Sequence, residues 1–287
     1  MNSNCGQNPI YKHNWAMNRV KNLMDLVYSK LTISSPPFLF CFFFNLQYRV
    51  KKVPDRVYFN RNTKLFKLVS NKQERFFSIK FQNYNSYKNG AAKRDQQLRN
   101  EYLLDHVPLE NEDFIIDCGA NVGDLWHALS KESKLSFNYF AFEPSEDEYK
   151  CLELNVEKKV NLFNIGLWDK RDKLKFYVSS KNADSSMIKP ESYTKTVSLE
   201  VDRLDNVIKA NKIKLLKLEA EGAEMQVLNG AKNLLMNIEY ITADLGFENN
   251  GKSTLPEVTN YLLNNNFEII DFGYPRIVIL FKNKNIQ

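Results

Sequence analysis

Residues Phe114–Gly123, F-I-I-D-C-G-A-N-V-G, decide how the rest of the chain is read. Three apolar residues, Phe114, Ile115 and Ile116, run into Asp117; a small-residue loop follows, with Gly119 and Gly123 spaced G-x-x-x-G. From Asp124 to Ser130 a helix-like pattern resumes, so the order is strand, tight loop, helix. Such a loop admits a ligand close to the backbone, and the helix N-terminus beyond it offers unpaired N–H groups.

The loop is not the dinucleotide fingerprint G-x-G-x-x-G, because Asn121 stands at its middle glycine. Asp117 at the strand end would also repel a pyrophosphate. A ligand combining a cation, a carboxylate and a ribose suits the stretch better, and S-adenosylmethionine (AdoMet) has all three. Tyr139–Pro144, Y-F-A-F-E-P, reads as a second buried strand ending in Glu143, twenty residues after Gly123. A nucleoside-binding α/β unit places there the carboxylate that accepts hydrogen bonds from ribose hydroxyls.

The chain has 287 residues, 43% hydrophobic and 26% charged, as in ordinary globular proteins. Its net charge of +6 is uneven. Residues 1–100 carry 18 Lys+Arg against 4 Asp+Glu, hence +14, and the remainder carries 22 against 30, hence −8. A basic leading third could meet nucleic acid, an anionic membrane or an acidic glycan, or simply be a solvated face. Cys5, Cys41, Cys118 and Cys151 have no paired spacing, which favours free thiols in a reducing compartment over disulfides or zinc. The N-terminus lacks a charged start, apolar core and small-residue cleavage site, so a cytoplasmic location is expected.

Residues 1–14 are polar. Trp15 to Leu31 predicts an amphipathic helix, and Phe38–Phe44, F-L-F-C-F-F-F, is the most apolar run. That run is too short to span a bilayer. Burial against the main domain is the preferred expectation; with Arg49, Lys51, Lys52 and Arg56 following, peripheral membrane contact through residues 38–56 is the alternative. Short strands are expected at Arg56–Asn60, Leu65–Val69 and Arg75–Phe81, and a charged helix at Lys88–Asp105. The expected division is an extension over 1–99 and a catalytic domain over 100–287. In the latter, strands and helices alternate: Glu146–Lys158 as a helix, Val160–Ile165 as a strand, Leu174–Val178 and Val197–Val201 as a hairpin around the polar loop Lys181–Lys195. Ile213–Glu219 and Ile238–Leu245 are strands flanking a helix over Met225–Met236, and Phe267–Phe272 pairs with Arg276–Phe281. This pattern predicts an α/β fold with a mostly parallel sheet.

Asp117, Glu143, Glu219 and Asp244 each fall at a predicted strand end, where ligands of such sheets bind. Converging carboxylates need a cation among them: a sulfonium, or Mg²⁺ in an oxygen-rich set. Methylating an alcohol also needs a base, for which Asp244, Glu219 and Glu221 are the candidates, with His106 and His127 behind them.

Together the residues resemble the FkbM family of AdoMet-dependent methyltransferases. The matching elements are F-I-I-D-C-G-A-N-V-G, F-E-P at 142–144, N-I-G-L-W-D at 164–169, V-D-R-L-D at 201–205 and, most specifically, L-K-L-E-A-E-G-A-E-M-Q-V-L-N-G-A at 216–231. The resemblance implies a Rossmann-like class I fold: a seven-stranded sheet with an antiparallel last strand. It also implies AdoMet as methyl donor. By position, Asp117, Gly119, Ala120, Asn121 and Gly123 would line the methionine side, Glu143 the ribose, and the backbone at Gly166 and Leu167 the adenine. Where the family has K-I-D-V-E-G-A-E, this chain has Glu219 in place of the aspartate, a carboxylate one methylene longer. Acceptors in the family include hydroxyls of sugars and macrolides, and D-L-G-F-E at 244–248 looks like members associated with surface polysaccharide. A small-molecule or glycan acceptor is therefore expected, with no nucleic-acid partner; no residue is assigned as a metal ligand, and Mg²⁺ stays possible but not indicated.

Overall fold

In the computed structural model the described residues are 25–133, 135–178, 187, 189, 193–247 and 251–286. The expected polar residues 1–14, residues 15–24 of the expected first helix, most of the Lys181–Lys195 loop and Glu248 lie outside them. The centre is a seven-stranded sheet built from β4 (Phe114–Cys118), β5 (Asn138–Phe142), β6 (Asn161–Phe163), β10 (Ile213–Leu218), β11 (Ile238–Asp244), β12 (Phe267–Gly273) and β13 (Val278–Asn283). Its order is β12-β13-β11-β10-β4-β5-β6. The β4, β5, β6, β10 and β11 pairings are parallel, and β13 runs antiparallel to both its neighbours. This is the Rossmann-like methyltransferase sheet that the resemblance implies, with its antiparallel last strand.

Residues of β10 and β11 are buried throughout, and all but the first residue of β4. Central parallel strands are covered on both faces, which explains why they read as continuous apolar runs without alternation. One face packs Ile116, Leu216, Leu218, Ile241 and Phe281 with α7 (Leu204–Val207), α8 (Glu224–Gly230) and α9 (Leu255–Asn264). The other packs Ile115, Leu215, Tyr139 and Leu280 with α5 (Asp124–Ser133) and the end of α4 (Ala91–Glu101). The helix expected over Met225–Met236 stops at Gly230. A Cβ there would come within 2.0 Å of the Trp168 carbonyl oxygen, so the chain passes Trp168 at backbone distance. The hairpin expected around residues 174–201 forms as β8 (Asp172–Val178) and β9 (Lys195–Asp202), in a separate three-stranded sheet with β7 (Gly166–Leu167).

The leading segment is built around an aromatic core that also takes in Val122 and Cys151 of the main domain. After the helical residues 25–34 (α1), α2 (Pro37–Val50) lies on the antiparallel strands β1 (Arg56–Phe59), β2 (Phe66–Ser70) and β3 (Gln73–Phe77). The aromatic run, expected to be buried against the main domain, divides between two faces of α2. Phe40, Phe44 and Tyr48 pack with Phe66, Leu68 and Phe77, while Phe38, Leu39, Phe42 and Leu46 remain 42–60% exposed. Helical spacing separates the two sets.

The layer is fastened to the large sheet by polar contacts. Arg75, 1% exposed, pairs with Asp95 at 2.7 Å and lies 3.8 Å from Asp124 at the start of α5. The hydroxyl of Tyr87, the last residue of α3 (Lys80–Tyr87), donates to Asp124. Asn155, at the end of α6 (Glu146–Asn155), bonds the backbone of Phe76 at 2.6 and 2.8 Å and the Val122 carbonyl at 2.7 Å. Burial alone would raise the Asp124 pKa, but Arg94, Arg75 and the Tyr87 bond outweigh it and hold the carboxylate ionised. The boundary expected between residues 99 and 100 falls inside α4.

Candidate active site

The sheet changes direction between β4 and β10: from β4 the chain winds outward to β5 and β6, from β10 to β11. A crevice opens at the carboxyl ends of two strands that diverge in this way. Here it has two lobes. The narrow one, about 120 Å³, is lined by Phe142, Glu143, Glu148, Ile165, Gly166, Leu167 and Phe176. The wide one, about 720 Å³, is lined by Tyr102, Asp117, Ala120, Lys217, Asp244 and Arg276. Gly119, Asn121, Glu219, Glu221 and Gln82 line both and mark where they join.

The loop after β4 makes the join. Gly119 N and Ala120 N both donate to the Phe142 carbonyl at 3.0 Å, tying the loop to the end of β5. Gly119 has φ +76°, and a Cβ there would sit 2.3 Å from the Glu219 carbonyl oxygen, so glycine is required on both counts. Asn121 (φ +50°) and Glu221 (φ +50°) are left-handed without being glycine. Such conformations cost on the order of 1 kcal/mol each and cluster at functional sites. Gly123 (φ +88°) faces Leu152, Val156 and Asn155 and lines neither lobe, so it shapes the loop from behind.

In the narrow lobe the Glu143 carboxylate accepts N–H bonds from Asn121 and Ser145, each 2.8 Å. Its pKa is nonetheless pushed up to about 8, by burial first and the neighbouring Glu148 second, against those two bonds. Glu148, which accepts from the Ser145 hydroxyl, is itself raised by burial.

In the wide lobe the converging carboxylates find their cations within the chain. Lys217 is 3% exposed and directly opposite Asp117 in the β10–β4 register. Its ammonium lies 3.1 Å from Asp117 and 2.9 Å from Glu219, and donates to the carbonyls of Gly119 (2.6 Å) and Cys118 (3.1 Å). Burial opposes its charge, but Asp117 and Glu219 outweigh that and hold it protonated. Arg276, on the turn between β12 and β13, bonds both Glu219 and Asp244 and lies 3.6 Å from Glu101. The Tyr102 hydroxyl donates to Glu219 at 2.6 Å, and the Tyr139 hydroxyl to Asp117 at 2.6 Å. Burial would raise the Glu219 pKa, yet Lys217, Arg276 and the Tyr102 bond drive it well below the carboxylate range. Asp244 is raised by burial, with Arg276 opposing.

Asp117 and Glu143 thus serve different lobes of one crevice, and Glu219, Glu221 and Asp244 all border the wide lobe. His106 pairs with Asp271 at 3.0 Å, and neither His106 nor His127 lines a lobe. Among the described residues no group of three or more His, Cys, Asp or Glu could hold a metal ion. The residues absent from the sequence reading are Lys217, Arg276 and Tyr102. Lys217 was within reach, since two residues before Glu219 on a strand puts both side chains on one face. Tyr102 and Arg276 approach from 117 and 57 residues away, with no local signal.

A seven-stranded sheet of this order with a two-lobed crevice at its switch point defines a nucleoside-type α/β enzyme fold. The profile of the methyltransferase FkbM domain matches residues 117–269, just over half the chain, and the chain belongs to that methyltransferase family. Among characterised proteins it is similar to the hexuronic acid methyltransferase AglP of Haloferax volcanii, 26% identical over 140 residues covering 47% of this chain and 57% of that one. It is also similar to methyltransferase 1 of Beauveria bassiana, 25% identical over 179 residues covering 51% and 72%. Among solved structures it is similar to an FkbM methyltransferase from Methylobacillus flagellatus, with a TM-score of 0.48 and 16% identity over 66% of this chain and 50% of the other. The chain thus spans little more than half the length of AglP and half that of the Methylobacillus protein.

Proposed function

We propose that this chain is an AdoMet-dependent O-methyltransferase acting on a hydroxyl of a sugar or glycan. The observation that carries the reading is the pairing of a buried carboxylate, Glu143, in the narrow lobe with a junction at Gly119 into a wide lobe roomy enough for a sugar. AdoMet fits these residues. The missing Cβ at Gly119 lets the loop pass against the Glu219 carbonyl while still lining both lobes, and Glu143 in the narrow lobe would accept from ribose hydroxyls. Gly166 and Leu167 line the end of that lobe where an adenine would lie. When bound, AdoMet supplies an electrophilic methyl group on a sulfonium.

The chain's own work is then positioning, proton removal and exclusion of water. Lys217 and Arg276 pair with Asp117, Glu219 and Asp244 and hold the wide lobe in one shape. Of the three candidate bases, Glu219 is the poorest, because three donors hold it as a weakly basic carboxylate. Glu221 lines both lobes, at the junction where acceptor oxygen and methyl must meet, and is the base we assign. Asp244, pinned by Arg276, orients the acceptor. The sugar acceptor is supported by the hexuronic acid methyltransferase similarity and by the polar lining of the wide lobe.

The test is incubation with methyl-labelled AdoMet and fractionated cell glycans. Label transferred to a glycan by the native chain, and lost on Glu221→Gln with AdoMet affinity changed less than about threefold, is the expected result. Labelled product from Glu221→Gln at the native rate removes Glu221 as base. No transfer to any fraction, with AdoMet bound, leaves a binding protein of the same fold.

A further inference from the structure

The exposed half of the aromatic helix is a surface that methyl transfer does not use. Phe38, Phe42 and Leu46 recur every four residues along α2, at 52%, 60% and 42% exposure, with Leu39 (49%) beside them. Helix α1 lies alongside through the Tyr28–Phe43 ring contact and a 2.6 Å bond from the Tyr28 hydroxyl to the Phe43 carbonyl. It adds Leu26, Val27 and Leu31, at 51%, 51% and 61%. A contiguous apolar face of this kind marks an interaction site.

Its charge surroundings choose among partners. Residues 25–64 hold seven basic side chains, all exposed: Lys30, Arg49, Lys51, Lys52, Arg56, Arg61 and Lys64. The acids in that span are Asp25 and Asp55, and Asp55 is buried, accepting from Ala91 N at 2.7 Å. Arg49 continues the Phe42–Leu46 stripe by helical spacing, and Arg61 lies 4.5 Å from the Phe38 ring centroid. Basic groups at the margin of an aromatic stripe let the rings sit among acyl chains while the cations reach headgroups. Among the described residues no helix is long and apolar enough to cross a membrane, so α2 would lie in its surface.

We propose that the α1–α2 face docks the protein onto an anionic phospholipid membrane. Phe38, Leu39, Phe42 and Leu46 enter the interface, and Arg49, Lys52, Arg56 and Arg61 meet the headgroups. The opposite face of α2 is anchored to β1–β3 by Phe40, Phe44 and Tyr48, so the helix is already formed and held outward before contact. Less of the binding free energy is then spent on ordering it. The proposal does not depend on the methyl-transfer reading.

The experiment is co-sedimentation of the full chain with phosphatidylcholine vesicles, with and without a phosphatidylglycerol fraction. Binding that needs the anionic lipid, and weakens as salt rises, is expected. Phe42→Ser/Leu46→Ser and Arg49→Glu/Lys52→Glu should each lower the vesicle partition on the order of tenfold or more, with thermal unfolding unchanged. If the apolar pair impairs folding, the charge-reversal pair, which touches no core, decides alone. Absence of binding to phosphatidylglycerol vesicles overturns the proposal, as does native partition of the charge-reversal variant. Light scattering that gives a dimer for the native chain and a monomer for the apolar variant assigns the face to a second copy and equally overturns it. Loss of thermal stability in the apolar variant without native vesicle binding assigns it to packing within the chain.

Discussion

Glu143→Gln separates the two roles of the narrow lobe's carboxylate. In the folded chain its pKa is raised from 4.5 to about 8 by burial and Glu148. Between those values the native state holds a proton that the unfolded chain has released, so stability falls as pH rises through the window. At about 1.4 kcal/mol per pH unit, that displacement has a ceiling near 5 kcal/mol, and relaxation around the site brings the expectation to about 2–5 kcal/mol. The amide of the variant does not titrate. Near pH 5 the protonated acid and the amide are close in shape, and each can accept only one of the Asn121 and Ser145 N–H bonds well. Urea denaturation at pH 5 and pH 8.5 should therefore show the advantage of native over variant shrinking by about 2–5 kcal/mol. A difference constant to within about 0.5 kcal/mol would refute the claim that burial destabilises the ionised form. Binding gives the opposite sign. Ribose hydroxyls stabilise the ionised carboxylate, so AdoMet affinity should rise between pH 6 and 8, with a proton released on binding. Calorimetry in buffers of different ionisation enthalpy measures that proton. The variant should bind AdoMet ten- to a hundredfold more weakly, the loss of one charge-assisted bond at about 1.5–3 kcal/mol; unaltered affinity would place the ribose elsewhere.

Gly119→Ala puts a methyl 2.3 Å from the Glu219 carbonyl at φ +76°, so the loop must move, and AdoMet affinity should drop at least about tenfold; calorimetry giving native affinity contradicts the close approach. Lys217→Met leaves Asp117 and Glu219 without their shared cation and should cost about 3–5 kcal/mol, lowering the melting temperature by about 5–8 °C. A shift below about 3 °C in scanning fluorimetry would mean that the carboxylates are balanced otherwise. Asp244→Asn should lower turnover more than AdoMet affinity if Asp244 orients the acceptor, whereas equal losses would place it on the cofactor.

Local patterns carried much of this in the sequence. The apolar runs ending in Asp117, Glu143 and Asp244 are parallel strands buried on both faces, and such strands announce themselves by composition and length. The glycine spacing at 119 and 123 followed from a backbone that must turn left-handed between strand and helix. The E-G-A-E stretch at 221–224 brought the family with it, and the family model covers residues 117–269. These signals are contained within a few consecutive residues. Tertiary structure alone decided how the acids are used. Nothing near Asp117 in sequence says that Lys217 lies opposite it on the next strand. Nothing near Glu219 says that Tyr102 and Arg276 close on it from distant segments. Those partners fix the ion pairs that Asp117, Glu219 and Asp244 make in the wide lobe. The aromatic run makes the same point. Its composition gave a helix-length apolar segment, but only packing on β1–β3 determined which of its rings are core and which are left facing outward. Charge balance and face selection depend on contacts between residues far apart in the chain, and a linear pattern has no term for them.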